Sequence, residues 1–365
     1  PGLQPKICQA ISMNQAPAAP FSCRYTPNVP ELLQQLGCTL AISTYQAGKL
    51  IFLSAANADK LVQLPRSFDT PMGIALQGGK MAVATKHEVL VLADSPELAA
   101  HYPRQPQTYD ALYMPRASYF TGQIDIHDLD YGTDGLYAVN TSFSCLIKID
   151  DNYSFTPVWK PPFISQLASE DRCHLNGMVM QDGKPRYASA FGAVDQLQGW
   201  RSGVTTDGIL MDVQSNEIVM QNLPMPHSPR IWNGQLLALF SATGQLARLD
   251  VEANRYEVIC DLKAFVRGMA FCGDYAFIGV SRLRQNSSTF AHLKIAELAD
   301  YAGIIIVHLP TGARVGEIRY LSSVDEIYDV QVLPGVQRPG ILNTLKPEYK
   351  LGLSTPDATY WAKPG

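Results

Sequence analysis

The stretch Leu129-Asp130-Tyr131-Gly132-Thr133-Asp134-Gly135-Leu136-Tyr137-Ala138-Val139 reads as two short apolar strands joined by a tight turn. Asp-Gly between such runs is among the strongest hairpin signals, because the glycine tolerates the positive φ that a two-residue turn demands. The pattern returns upstream as Gly73-Ile74-Ala75-Leu76 followed by Gly78-Gly79. Downstream it returns as Met178-Val179-Met180 with Asp182-Gly183, Ile231-Trp232 with Asn233-Gly234, and Met269-Ala270-Phe271 with Gly273-Asp274. The starts recur at roughly 40 to 55 residues, the period of a propeller built from four-stranded blades. A sixth first strand, Ile327 to Leu333, has no hairpin after it, whereas the runs at 40–43, 50–53 and 60–63 have no first strand of their own. Pairing these two ends closes the ring and removes its exposed edges. The fold predicted is all-β: one six-bladed β-propeller over 31–340, closed by pairing of N-terminal strands with the C-terminal innermost strand. An N-terminal arm (1–30) and a C-terminal tail (341–365) flank it, and a short helix is expected near 30–37.

Composition agrees with a globular chain that has ample core, at 46% hydrophobic and 17% charged residues. The net charge of −4, with lysines and arginines scattered, offers no basic stripe for phosphate, so nucleic acid is not an expected partner. No run approaches the ~20 apolar residues that span a bilayer, so no membrane is expected either. The beginning of the chain lacks a charged segment followed by an apolar one, and the seven cysteines are odd in number and widely spaced. Both features suit a cytoplasmic protein with free thiols.

Three apolar runs are entered through a histidine: Ile126-His127-Asp128-Leu129, Glu170-Asp171-Arg172-Cys173-His174-Leu175-Asn176-Gly177 and Pro226-His227-Ser228-Pro229-Arg230. In a blade, the residues before the innermost strand and the loop between the second and third strands share one face. That places His127, His174 and His227 around one pore, His127 standing about two residues closer to its strand than the others. Three imidazoles with an open position suit Zn or Fe; the alternative is three histidines that satisfy buried loop carbonyls. His87, His101, His292 and His308 read as loop or outer-strand residues. Asp125, Asp128, Asp171 and Glu326 are candidate ligands, partners to imidazole N–H groups or bases. Glu326 and Asp128 are expected to handle a proton, and Arg267 and Tyr45 to act with them in catalysis. Arg267 is either a clamp for a substrate carboxylate or phosphate or a partner of Glu326. Asn176, Arg230, Asn140, Gln46 and Arg282 complete the expected substrate-binding set. The insertions 191–206 and 283–301 are expected as walls or lids. Cys173 reads as a packing residue, at least partly accessible, since adjacent residues on an extended chain point apart and His174 does not activate it. Motifs for serine hydrolases, zincins, P-loop enzymes and Rossmann enzymes are missing from the sequence.

The segments Ser43-Thr44-Tyr45-Gln46-Ala47-Gly48-Lys49-Leu50, Arg116-Ala117-Ser118-Tyr119-Phe120-Thr121-Gly122, Glu170 to Gly177 and Met225 to Arg230 resemble the signatures of a family of conserved bacterial proteins of unknown function. That resemblance runs from about residue 30 to 340 and implies no activity. In architecture alone the chain is similar to metal-dependent propeller enzymes, such as the lyase half of peptide-amidating enzymes, which also uses three histidines.

The leading expectation is a metalloenzyme with Fe or Zn on the three histidines, acting on a small-molecule or peptide-like substrate by lyase, hydrolase or oxygenase chemistry. The alternatives are a non-catalytic propeller that binds a protein or peptide through exposed Tyr119, Phe120 and Trp200, and a Ca-dependent lactonase-like hydrolase with Glu326, Asn176 and Asp128 as ligands.

Overall fold

A computed structural model describes residues 18–283, 290 and 293–363. Six small antiparallel sheets stand in a ring, each led by an innermost strand that packs against those of its two neighbours. In chain order the innermost strands are Ile74–Gln77, Ile126–Gly132, Leu175–Gln181, Pro226–Trp232, Phe265–Cys272 and Asp329–Pro334; they head blades 1 to 6. The last pairs with Cys38–Thr44, from Cys38 opposite Pro334 to Ser43 opposite Asp329, and Lys49–Asn57 and Lys60–Ser67 complete blade 6. The ring therefore closes with the C-terminal strand inside and the N-terminal strands outside it.

The turn chemistry explains why these segments form hairpins. Gly78-Gly79, Asp182-Gly183 and Asn233-Gly234 each sit between paired residues, with both φ values between 47° and 77°, the mirror-image turn whose twist matches the strands. The second blade departs from the sequence reading by one residue. Gly132 pairs with Gly135, so the loop is Thr133-Asp134 rather than Asp134-Gly135. Thr133 is held there by its N–H, which donates to Gly183 O of the next blade's turn at 3.0 Å.

Both chain ends add strands. Cys23–Tyr25 pairs with Ala313–Tyr320 as a fifth strand of blade 5, and Pro339–Ile341 runs parallel to Ala111–Phe120 as a fifth strand of blade 1. Each covers an outer edge that would otherwise offer unpaired backbone groups. The expected helix forms at Val29–Leu36, with Pro30 in its first turn and Gly37 at φ 60° donating its N–H to Gln34 O.

A repeated hydroxyl ties blade to blade. Ser43, Thr141, Ser241 and Ser281, each at the end of a second strand, donate to Met72 O, Leu175 O, Val266 O and Ile327 O at the head of the following innermost strand, at 2.5 to 3.1 Å. All four are buried, so each bond satisfies a carbonyl that water does not reach. Among the described residues no helix is long and apolar enough to cross a membrane.

Candidate functional site

A left-handed residue precedes every innermost strand: Thr70, Asp125, His174, Met225, Lys263 and Ser323, with φ between 45° and 66°. These reversals turn the chain into the channel, and non-glycine residues hold such a φ only where surrounding packing enforces it. Above them lies a cavity of about 690 Å³. His127, His174, His227, Arg267, Glu326, Tyr45, Gln46 and Arg282, brought together from five blades, all line it. Blade 1 contributes no lining residue among those described. The two insertions form walls as expected, through Phe191, Gln198, Trp200 and Arg201 on one side and Leu283 and Phe290 on the other. Residues 284–289 and 291–292, with His292, lie outside the described residues. Arg172 tethers the first wall, reaching Asp195 at 2.6 Å and Glu170 at 2.8 Å.

The histidines do not occupy one repeated position. His127 and His227 are each the second residue of an innermost strand, so these two are equivalent, and Asn176 holds the corresponding place in blade 3. His174 stands one residue before its strand and reaches the cavity because its own φ is 50°. Its ring is stacked at 4.4 Å on Phe191 and lies 4.4 Å from Trp200, while His127 meets it edge-on at 4.8 Å and His227 packs 5.1 Å from Phe191. Among the described residues no group of three or more His, Cys, Asp or Glu is arranged to hold a metal ion.

The hydrogen bonds assign one tautomer to all three rings. Nδ1 of His127 faces Asp125 O at 3.2 Å, and a carbonyl only accepts. Nδ1 of His174 faces the Asp171 carboxylate at 3.0 and 3.1 Å, and that carboxylate also accepts from Trp200 Nε1 at 3.0 Å. Nδ1 of His227 faces Ser241 Oγ at 2.6 Å, and the hydroxyl proton is already committed to Val266 O, so the ring donates. Each Nδ1 carries the hydrogen and each Nε2 keeps its lone pair. All three rings line the cavity. Burial, and next to it the Arg267 charge, holds the basicity of His127 and His227 well below the ordinary imidazole value. Burial likewise raises the carboxyl of Asp125 and the phenol of Tyr45.

Arg267 lies flat on the Tyr328 ring, 3.4 Å from its centroid, with Nη1 4.0 Å from Glu326. Tyr45 stacks on the other part of this cluster, 5.6 Å from Tyr328.

The remaining expected residues lie elsewhere. Asp128 and Arg230 are absent from the cavity wall; they pair with each other through two bonds of 2.8 and 2.9 Å, and Asp128 also accepts Met178 N. Asn176 accepts from Ser189 Oγ, and Asn140 accepts Phe143 N, both buried away from the cavity. Of the three oxygen ligands expected for calcium, only Glu326 lines the cavity. Cys173 is fully buried, and burial pushes its thiol up to about 12, which corrects the expectation of access. Trp200, expected as an exposed anchor, is 2% exposed because the insertion folds it onto His174; Phe120, at 77%, does stand in solvent. Sequence reasoning missed Tyr328, which sits in a run that reads as plain core strand, and Ser241, whose signal was the hydroxyl recurring at second-strand ends.

Two solved structures are similar to the chain at low identity. A nidogen/laminin complex chain matches at 10% identity, over 82% of this chain and 99% of that one, with a TM-score of 0.49. The Neurospora crassa Pan2 WD40 domain matches at 11% identity, over 72% and 68%, with a TM-score of 0.40. No curated protein matches. A family profile described as a domain of unknown function, DUF4915, matches residues 27–342, nearly the whole ring. The chain belongs to that family.

Proposed function

We propose that the cavity binds a small polar molecule and moves a proton on it, with His174 Nε2 as the base. The observation that carries this reading is the Trp200–Asp171–His174 chain. A carboxylate that accepts the indole N–H also accepts the imidazole Nδ1–H, which sets the tautomer, fixes the ring and stabilises the imidazolium formed when Nε2 takes a proton. His127 and His227, kept neutral by burial, offer Nε2 lone pairs as acceptors for substrate N–H or O–H groups. Tyr45, whose phenol burial keeps protonated, stands across the cavity as a donor. The test is metabolite profiling: wild-type protein incubated with a small-molecule extract, compared with His174→Gln and Asp171→Asn by mass spectrometry. The base reading expects species consumed by wild type and spared by His174→Gln, with Asp171→Asn slowed. Equal consumption by wild type and His174→Gln refutes it.

A second reading is favoured by the tautomers themselves. Metal-bound histidines usually donate their other ring nitrogen to a carbonyl or carboxylate, as His127 and His174 do here. These two, with rings 4.8 Å apart, are the pair that would hold Zn or Fe, which would supply Lewis-acid or redox chemistry. Metal analysis of protein purified without chelator, alongside His127→Asn, decides it: less than about 0.1 metal per chain, and no uptake on addition, rejects this reading.

A further inference from the structure

We propose that the ligand of this cavity carries a carboxylate, held by Arg267 Nη2 and the Tyr328 hydroxyl. This rests on the reading that the cavity is the ligand site, and it names what the site selects. Both donors are buried, and neither has an acceptor among the described residues. Buried donors are almost always paired, and one left unpaired is costly to the fold, so orphans on two side chains that touch each other and line the cavity mark where an acceptor from outside belongs.

Both groups are rigidly presented. Tyr328 is 4% exposed and wedged between Tyr45 and the edge of His127, each 5.6 Å away. The Arg267 guanidinium lies on its ring, with Nη1 4.0 Å from Glu326 and Nη2 without a hydrogen bond among the described residues. Two donors from neighbouring side chains match the two oxygens of one planar carboxylate.

The charge of the wall argues against a dianionic phosphate. Arg201, Arg267 and Arg282 are balanced by Asp125, Asp171 and Glu326, and Arg282 is engaged by Asp325 at 3.2 Å. No net positive field remains to hold two charges. The aromatic faces of Phe265 and Phe290 suit an apolar body behind the carboxylate. His127 touches both Tyr328 and His174, so a ligand anchored at the clamp extends past His127 toward the proposed base. The ligand class is a small carboxylic acid that presents its exchangeable proton beyond the carboxyl group.

The test is calorimetric titration with benzoate, acetate and lactate as acids, benzamide as the uncharged match, and inorganic phosphate as competitor. Wild type is expected to bind at least one acid saturably, benzamide at least about tenfold more weakly, and phosphate without displacing the acid. Tyr328→Phe is expected to weaken the acid about tenfold, as loss of one charge-assisted bond does, and Arg267→Met to abolish saturable binding, with melting temperatures reporting that both fold. Phe120→Ala, in solvent on blade 1 and away from the cavity wall, is expected to bind the acid within about twofold of wild type. Turnover by His174→Gln reports separately on the base. Equal binding of benzoate and benzamide, unchanged affinity in Tyr328→Phe, displacement by phosphate at lower concentration, or no saturable binding by any of the three acids overturns the carboxylate inference, whatever His174→Gln does to turnover.

Discussion

Replacing Arg230 with methionine should destabilise the ring without touching the cavity wall. Arg230 bonds Asp128 of blade 2 twice and the Met178 carbonyl of blade 3, so one side chain joins the innermost strands of three blades. Asp128 is 4% exposed and, among the described residues, keeps only the Met178 N–H once the guanidinium is gone. Breaking one side of a buried pair costs about 3 to 5 kcal/mol, because an uncompensated charge stays behind. With an unfolding entropy of about 2.1 cal/mol/K per residue over 365 residues, a loss of about 4 kcal/mol lowers Tm by about 5 °C. The deficit should depend on pH. Burial already raises the carboxyl of neighbouring Asp329, and the Arg230 charge opposes that rise. Without Arg230 the folded-state value climbs further from the unfolded one near 3.9. A carboxyl raised in this way favours the folded state when protonated and penalises it as pH rises, so the deficit is larger at pH 8 than at pH 5. Calorimetric or fluorescence melting of Arg230→Met, Asp128→Asn and the double variant at both pH values is the assay. The double variant should recover much of the loss, since the Asp128 charge that lost its partner is then gone and no longer repels Asp329. A single-variant loss below about 1 °C, or losses that add in the double variant, would refute the reasoning.

Deleting 325–334 removes the innermost strand of blade 6 and exposes the edge of Cys38–Thr44, so no cooperative melting transition should remain; a cooperative transition at the wild-type temperature counts against ring closure at this seam. Stability should fall as pH drops below about 6.5, because unfolded His127 and His227 take up protons that the folded rings refuse. His127→Asn with His227→Asn should flatten that fall, and an unchanged slope between pH 6.5 and 5 dismisses the two rings as its cause. Thiol labelling with peptide mapping should find Cys38, Cys145 and Cys173 slow and the half-buried Cys23 and Cys272 faster; rapid labelling of Cys173 would contradict its burial.

The sequence by itself determined the ring. Hairpin signals such as Asn233-Gly234 act over two residues, and the alternation of apolar positions acts over five, so both are written locally. The count of six blades and the pairing of Asp329–Pro334 with Cys38–Thr44 followed from which runs lacked a partner. The same locality put His127, His174, His227, Glu326 and Arg267 on one face, and all five line the cavity. What each does there was decided only by tertiary structure. Asp128 and Arg230 lie 102 residues apart in the chain and read as a base and a substrate ligand until the channel pairs them. His174 looks equivalent to His227 in sequence, yet a left-handed backbone and the wall around Trp200 put it in a different position, against Asp171. Tyr328 is one apolar letter among several until Arg267, more than sixty residues away, lies on its face. A strand's pattern records which side of it is buried. It does not record which side chain from another blade arrives opposite, and the chemistry of this cavity depends on those arrivals.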